Sequence, residues 1–180
     1  LYIQEDTFDK RASFFDSCNT TFIEGGHDIL IEDSLLVQSF STRHDSLNSL
    51  GFVVTDTNAG TRFGYLTDTG SINKLMRTKL SDCDAYLIEA DYDEDLLEEY
   101  EEYDIILKDR IQSPWGHLSN AQAMDFIESH VNLDKVKWIL FGHISQKTNS
   151  EKLIMELVRE RFPNFSNKFG CAPTESPLDI

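Results

Sequence analysis

The sequence lacks a basic surplus: 16 Lys and Arg stand against 32 Asp and Glu, for a formal net charge of −16. Proteins that grip nucleic acid over a wide area carry the opposite footprint. The charge therefore excludes a broad polyanion-binding surface, while a local positive site such as a bound metal still has room for one phosphate. Its simplest consequence is solubility. Cysteine is scarce too. Cys18, Cys83 and Cys171 are odd in number and have no CxxC spacing, which excludes a disulfide framework and a thiolate zinc site and points to a reducing compartment. No apolar run approaches the ~20 residues that span a bilayer, and there is no signal peptide, so a cytoplasmic protein with no membrane partner is expected. The chain also lacks an opening Met. It begins on Leu1, inside the strand-like "LYI", and is expected to be a piece of something longer.

What is present is globular. The chain has 180 residues, 40% of them apolar and 11% aromatic, enough to bury a core in one domain spanning 1–180. "LYIQEDT" reads as a short strand with a helix starting at Asp6-Thr7. Alternation at Ile29 and Ile31, then at Leu35, Val37 and Ser39, predicts strands after a Gly25-Gly26 turn. Residues 50–68 read as a hairpin turning at Asn58-Ala59-Gly60. "SINKLMRTKL" predicts a short helix with Ile72, Leu75, Met76 and Leu80 on one face. "CDAYLIEAD" and "VKWILFGHIS" read as buried strands, "LSNAQAMDFIESHV" as a helix capped by Ser119 or Asn120, and "NSEKLIMELVRERF" as a helix stopped by Pro163. The acidic run 91–104 is expected to be partly helical, its charges facing solvent. The tail, with Gly170, Pro173 and Pro177, reads as loop. Alternating strands and helices make an α/β chain.

Three of these strands end on an unexpected polar residue: "VQSFSTRHD" on His44, "RFGYLTDTG" on Asp68 and "VKWILFGHIS" on His143. Sites in α/β sheets gather where strands end, and two imidazoles with a carboxylate suit zinc, manganese or iron. Each alone has a plainer reading. Asp68 in particular either caps the following helix or holds something charged. His117, in "WGHLSNAQA", precedes a helix N-terminus, where an imidazole can hold or protonate an anion. His27, in a Gly-rich turn, and His130, late in a helix where a cation suits the dipole, are set aside.

The ordered elements "FSTRHDSLNSLGFVV", "RFGYLTDTG", "LIEADYD", "GHLSNAQA" and "WILFGHIS", over roughly residues 30 to 160, resemble the metallo-β-lactamase fold. The resemblance is to its phosphodiesterase and nuclease branch, related to ribonuclease Z. It implies an αββα sandwich, here lacking its N-terminal portion, so that the chain makes up the C-terminal two thirds of the domain. It implies two divalent metal ions, zinc first, with manganese or iron as alternatives. His44 would bind one ion, His143 the other, and Asp68 would bridge them. His117 would contact the scissile phosphate or protonate the leaving group, with Glu89 orienting it. The sequence departs from the family in two places. The His-x-His-x-Asp-His signature is absent, and Tyr92 stands where close relatives carry a histidine.

The implied activity is hydrolysis of a phosphodiester, either a cyclic nucleotide or a nucleic-acid strand, and the charge favours a compact substrate or a short stretch of strand. A homodimer or an N-terminal complementing segment would supply the missing ligands. The alternative is a truncated or degenerate protein that binds a partner without catalysis. A generic α/β binding module is the third reading.

Overall fold

A computed structural model describes residues 1–11, 14–15 and 19–173. Cys18 and Pro177 lie outside these residues. In chain order the elements are β1 (Tyr2–Ile3), α1 (Glu5–Arg11), β2 (Thr21–Phe22), β3 (Asp28–Ile31), β4 (Leu35–Ser41), β5 (Leu50–Asp56), β6 (Thr61–Leu66), α2 (Lys74–Lys79), β7 (Ala85–Glu89), α3 (Glu94–Glu99), α4 (Ile105–Gln112), α5 (Asn120–His130), β8 (Trp138–Gly142), α6 (Glu151–Arg161) and β9 (Phe169–Cys171). β1 and β2 form a small parallel pair, and β3 to β9 form one seven-stranded sheet in sequential order. The first half is an antiparallel meander, β3 to β6. From β6 to β9 every pairing is parallel.

The sequential order fixes where the helices lie. Parallel neighbours need a crossover, and crossovers are right-handed. When each step moves to the next strand in the same direction, every crossover falls on the same face of the sheet. The core bears this out. Val53, Tyr86 and Ile139 share a register row, as do Leu66, Ile88 and Phe141. All six are buried in one cluster with Met76 of α2 and Leu80 directly after it, Met124 and Ile127 of α5, and Ile154 and Val158 of α6. The opposite rows, Phe52–Tyr65–Leu87–Leu140 and Val54–Phe63–Ala85–Trp138, are only half-buried or exposed. The described chain thus contributes a helical layer and a sheet with one open apolar face.

Four expectations change. The tail is not all loop, because Phe169–Cys171 pairs with β8 as a strand. Leu75 does not join the core: it is 53% exposed, while Met76 and Leu80 are buried. Asp68 does not cap α2, since the Asn73 side chain accepts from Met76 N in that role. Within the acidic run, α3 turns Leu97 inward and its carboxylates outward, whereas Asp91 at the start of the run departs from the expectation and turns in beside His143. Ser119 caps α5 in a reciprocal box with Gln122. Cys83 and Cys171 are free thiols. No helix among the described residues is long and apolar enough to cross a membrane.

Candidate metal centre

β4, β6, β7 and β8 all run in the same sense, because β4 and β6 are both antiparallel to β5 and β6 is parallel to β7 and β8. Their carboxyl ends therefore meet at one edge. Glu89 closes β7, His143 follows β8 directly, Asp68 lies two residues past β6, and His44 lies three past β4. Asp68 (φ 54°) and His143 (φ 53°) both take left-handed backbone, which turns the chain sharply off the sheet at these positions.

The loops are bound to one another before any ligand is considered. Gly70 N donates to Arg43 O at 2.8 Å, and the Ser71 hydroxyl donates to Pro114 O at 2.9 Å. Asp45 N donates to Trp115 O at 2.8 Å, and the Thr42 hydroxyl to Asp68 O at 2.8 Å. Gly70 is a close-approach glycine: a Cβ there would stand 2.2 Å from Ser113 O and 2.4 Å from Gly116 N. Behind them, Asn149 donates to Ala90 O and pairs with Asn120, tying the end of β7 to the starts of α5 and α6.

The imidazoles are oriented by what their Nδ1 atoms touch. His44 Nδ1 is 2.9 Å from Gly116 O, which fixes the tautomer that donates there and leaves Nε2 with a lone pair. That Nε2 is 3.8 Å from Asp68 Oδ1. His143 Nδ1 lies 2.9 Å from Glu89 Oε1, and its Nε2 is 3.5 Å from the same Asp68 Oδ1. His117 Nδ1 lies 2.7 Å from Glu89 Oε1, with its ring between the others, 4.7 Å from His44 and 4.9 Å from His143 by centroid. The five residues singled out in the sequence, His44, Asp68, Glu89, His117 and His143, therefore share one site. His27 and His130 stay outside it, and His130 loses basicity through burial and the neighbouring Arg77 rather than acting as a dipole-stabilised cation.

Glu89 is the buried centre of the arrangement, with a fully covered side chain. Burial pushes its carboxyl up, but hydrogen bonds from His117, His143 and Leu118 N outweigh this and hold it below the usual carboxylate range. The consequences run outward. His143, bonded to Glu89, is pushed up to about 9. Burial pulls His117 down, yet the Glu89 bond wins and raises it. Asp91, which the sequence reading passed over, is buried beside them and lifted to about 6, its Oδ1 3.8 Å from His143 Nδ1. Asp45 was also missed. It lies 3.6 Å from His44 Nε2 and is ion-paired with Arg110, which lowers its pKa. The only sequence signal for Asp91 was the acidic end of "LIEAD"; Arg110 had none.

The donor chemistry fits a divalent cation. Asp68, Glu89, His117 and His143 each offer a donor atom within 4.8 Å of the others. Nδ1 donation turns Nε2 of both His44 and His143 toward one carboxylate oxygen, the orientation that metal-binding imidazoles use once Nε2 has no proton.

Comparison with known proteins gives concordant matches. The profile of the Beta-lactamase superfamily domain matches residues 5–141. Exodeoxyribonuclease WalJ of Streptococcus pneumoniae serotype 2 is 33% identical over 160 residues, covering 85% of this chain and 57% of that protein. Exodeoxyribonuclease YycJ of Bacillus anthracis is 25% identical over 155 residues, with 85% and 57% covered. The chain thus spans little more than half the length of these relatives. The crystal structure of Zn(2+)-bound PqqB from Methylobacterium extorquens superposes with a TM-score of 0.66 at 15% identity, covering 100% of this chain and 64% of that one, a likeness of fold.

Proposed function

The chain belongs to the β-lactamase superfamily, and from that premise we propose that it is the metal-binding part of a hydrolase of phosphodiester bonds acting on nucleic-acid strands. The observation that carries the reading is the convergence of His44 Nε2 and His143 Nε2 on Asp68 Oδ1, each imidazole anchored through Nδ1. Two relatives bearing exodeoxyribonuclease names support a nucleic-acid substrate. In this reading His44, His143 and the Asp68 carboxylate would hold two divalent ions. Zinc is the first choice, with manganese or iron also suited to imidazole and carboxylate donors.

Bound metal supplies Lewis acidity and lowers the pKa of water. The rest follows from side chains. Burial pulls the His117 pKa down, but the Glu89 bond raises it and fixes its Nδ1, so that Nε2 is the atom free to clamp a phosphoryl oxygen or give a proton to the leaving oxygen. Glu89 does the same for the orientation of His143 without facing solvent itself. A second reading, a non-catalytic member that binds a partner, draws on the half-open apolar rows of the sheet.

Elemental analysis per chain, paired with hydrolysis of a DNA oligonucleotide, separates these. Asp68→Asn is expected to lose metal and turnover together. His117→Asn should keep metal and lose about 10²- to 10⁴-fold in rate, the range for a general acid. Asp68→Asn with full metal and full turnover would overturn the assignment, and a metal-free, inactive parent chain would favour the partner-binding reading.

A further inference from the structure

Beside the candidate metal ligands lies a cavity of about 150 Å³, lined by His44, Asp45, Leu107, Arg110, Ile111 and His117. Arg110 reaches it from α4. Its Nε donates to the Asp45 carboxylate, which fixes the guanidinium, and its two terminal amino groups have no partner among the described residues. In a chain with a net charge of −16, an arginine held with its fork open beside His44 and His117 is well placed for an anion. The cavity is large enough for a phosphate and part of a sugar but not for a whole nucleotide, since pockets that enclose such ligands run to about 300 Å³ or more. A base attached to that phosphate must lie outside.

The loop that follows α4 carries an aromatic surface. Trp115 is 51% exposed, although it sits in the tightly bound loop between α4 and α5. Its carbonyl accepts from Asp45 N, and the carbonyl of the next residue, Gly116, holds His44 Nδ1. The Arg43 guanidinium covers one side of the indole at 4.8 Å from the ring centroid. An exposed indole backed by a cation, on a loop whose carbonyl holds Asp45 N while the Asp45 carboxylate holds Arg110, matches the pairing of stacking platform and phosphate contact that single strands use.

Resting on the phosphodiesterase reading above, we infer that Arg110 and Trp115 form a subsite for single-stranded nucleic acid. Arg110 takes a phosphate neighbouring the scissile one, and Trp115 stacks the base attached to it. A base on Trp115 has left its neighbour in the strand, so the subsite selects an unpaired end or single strand over a closed duplex.

The test uses emission from Trp115. The chain has two tryptophans, and Trp138 begins β8, at the opposite end of that strand from His143. A Trp138→Phe background therefore leaves Trp115 as the sole indole. A thymidylate hexamer is titrated in EDTA and again with zinc. Quenching of Trp115 by the hexamer, but not by an abasic hexamer of the same charge, is expected. Fluorescence anisotropy of a labelled hexamer should show Kd rising roughly five- to hundredfold in Trp115→Ala, the worth of one stacked base. Arg110→Ala should weaken binding and flatten its salt dependence by about one charge. Unchanged Trp115 emission with and without zinc overturns the subsite, as does a Kd within twofold of the parent in both variants. Equal quenching by a blunt-ended hairpin duplex overturns the preference for single strands. Stacking without any hydrolysis leaves the subsite standing and refutes the proposed function. Hydrolysis without stacking does the reverse.

Discussion

Replacing Glu89 by Gln removes one charge and almost no volume, yet the structure leaves the new amide nowhere to donate. Oε1 receives Asp68 N at 3.2 Å, His117 Nδ1 at 2.7 Å and His143 Nδ1 at 2.9 Å. Oε2 receives Thr69 N at 3.1 Å and Leu118 N at 3.1 Å. Every neighbour is a donor. A glutamine must aim its NH2 at one of these groups, and the milder choice sets it against Thr69 N and Leu118 N. Each buried donor left without an acceptor costs about 1–3 kcal/mol, and the two imidazole bonds lose their charge assistance as well. The expected loss is about 3–5 kcal/mol, a large share of the ~5–15 kcal/mol that holds an ordinary domain together. Urea unfolding at pH 7 in EDTA, followed by tryptophan fluorescence, measures it without any contribution from metal. Glu94→Gln is the control: Glu94 is exposed, accepts the Ser119 hydroxyl at 2.9 Å, and should change stability by under ~1 kcal/mol. A Glu89→Gln chain within ~1 kcal/mol of the parent would refute the idea that this carboxylate organises the site.

Two further outcomes are expected. With its pKa near 9 in the metal-free chain, His143 is protonated at pH 7. Its pairing with Glu89 adds stability that is fully present below the unfolded value of about 6.5 and is lost as pH rises through about 9. A cation binding His143 must expel that proton, so calorimetry of zinc binding at pH 7 in buffers of different ionisation enthalpy should count about one proton or more released per chain; a count of zero refutes the ligand assignment. Gly70→Ala places a methyl against backbone atoms at 2.2 and 2.4 Å, which forces the Ser113–Gly116 loop outward. It should lower stability by about 1–3 kcal/mol and shift the NMR resonances of His44 and His117, whereas an unmoved histidine spectrum contradicts the close packing.

The centre was legible because its residues break local pattern. His44, Asp68 and His143 each follow an apolar strand at a position where a core residue or an ordinary turn residue would be unremarkable, and parallel pairing of β6, β7 and β8 then brings strand ends together without further instruction. The parts that were not legible depend on distant partners. β9 is three residues long and includes Gly170; it is a strand because β8 offers an edge, which no window around Phe169 reveals. Leu75 misled because α2 has only six residues, too few for its periodicity to tell Leu75 from its buried neighbour Met76. The Asp45–Arg110 pair joins residues 65 apart. Asp91 carried an acidic letter, but its raised pKa comes first from burial, with the Glu89 and Asp68 carboxylates adding to it and His117 and His143 opposing it.

The left-handed backbone at Asp68 and His143 constrains descent as well as chemistry. At these angles a residue with a branched Cβ is strongly disfavoured, and Gly, Asn, Asp and His are the types that settle most readily. A lineage that gave up metal altogether would still be pressed to draw from that short alphabet at both positions merely to turn the chain off the sheet. Asp or His surviving there in a descendant is therefore weak testimony to a working metal site. His44 carries no such backbone demand among the described positive-φ residues, so its retention or loss across descendants is the more telling record of whether the centre is still in use.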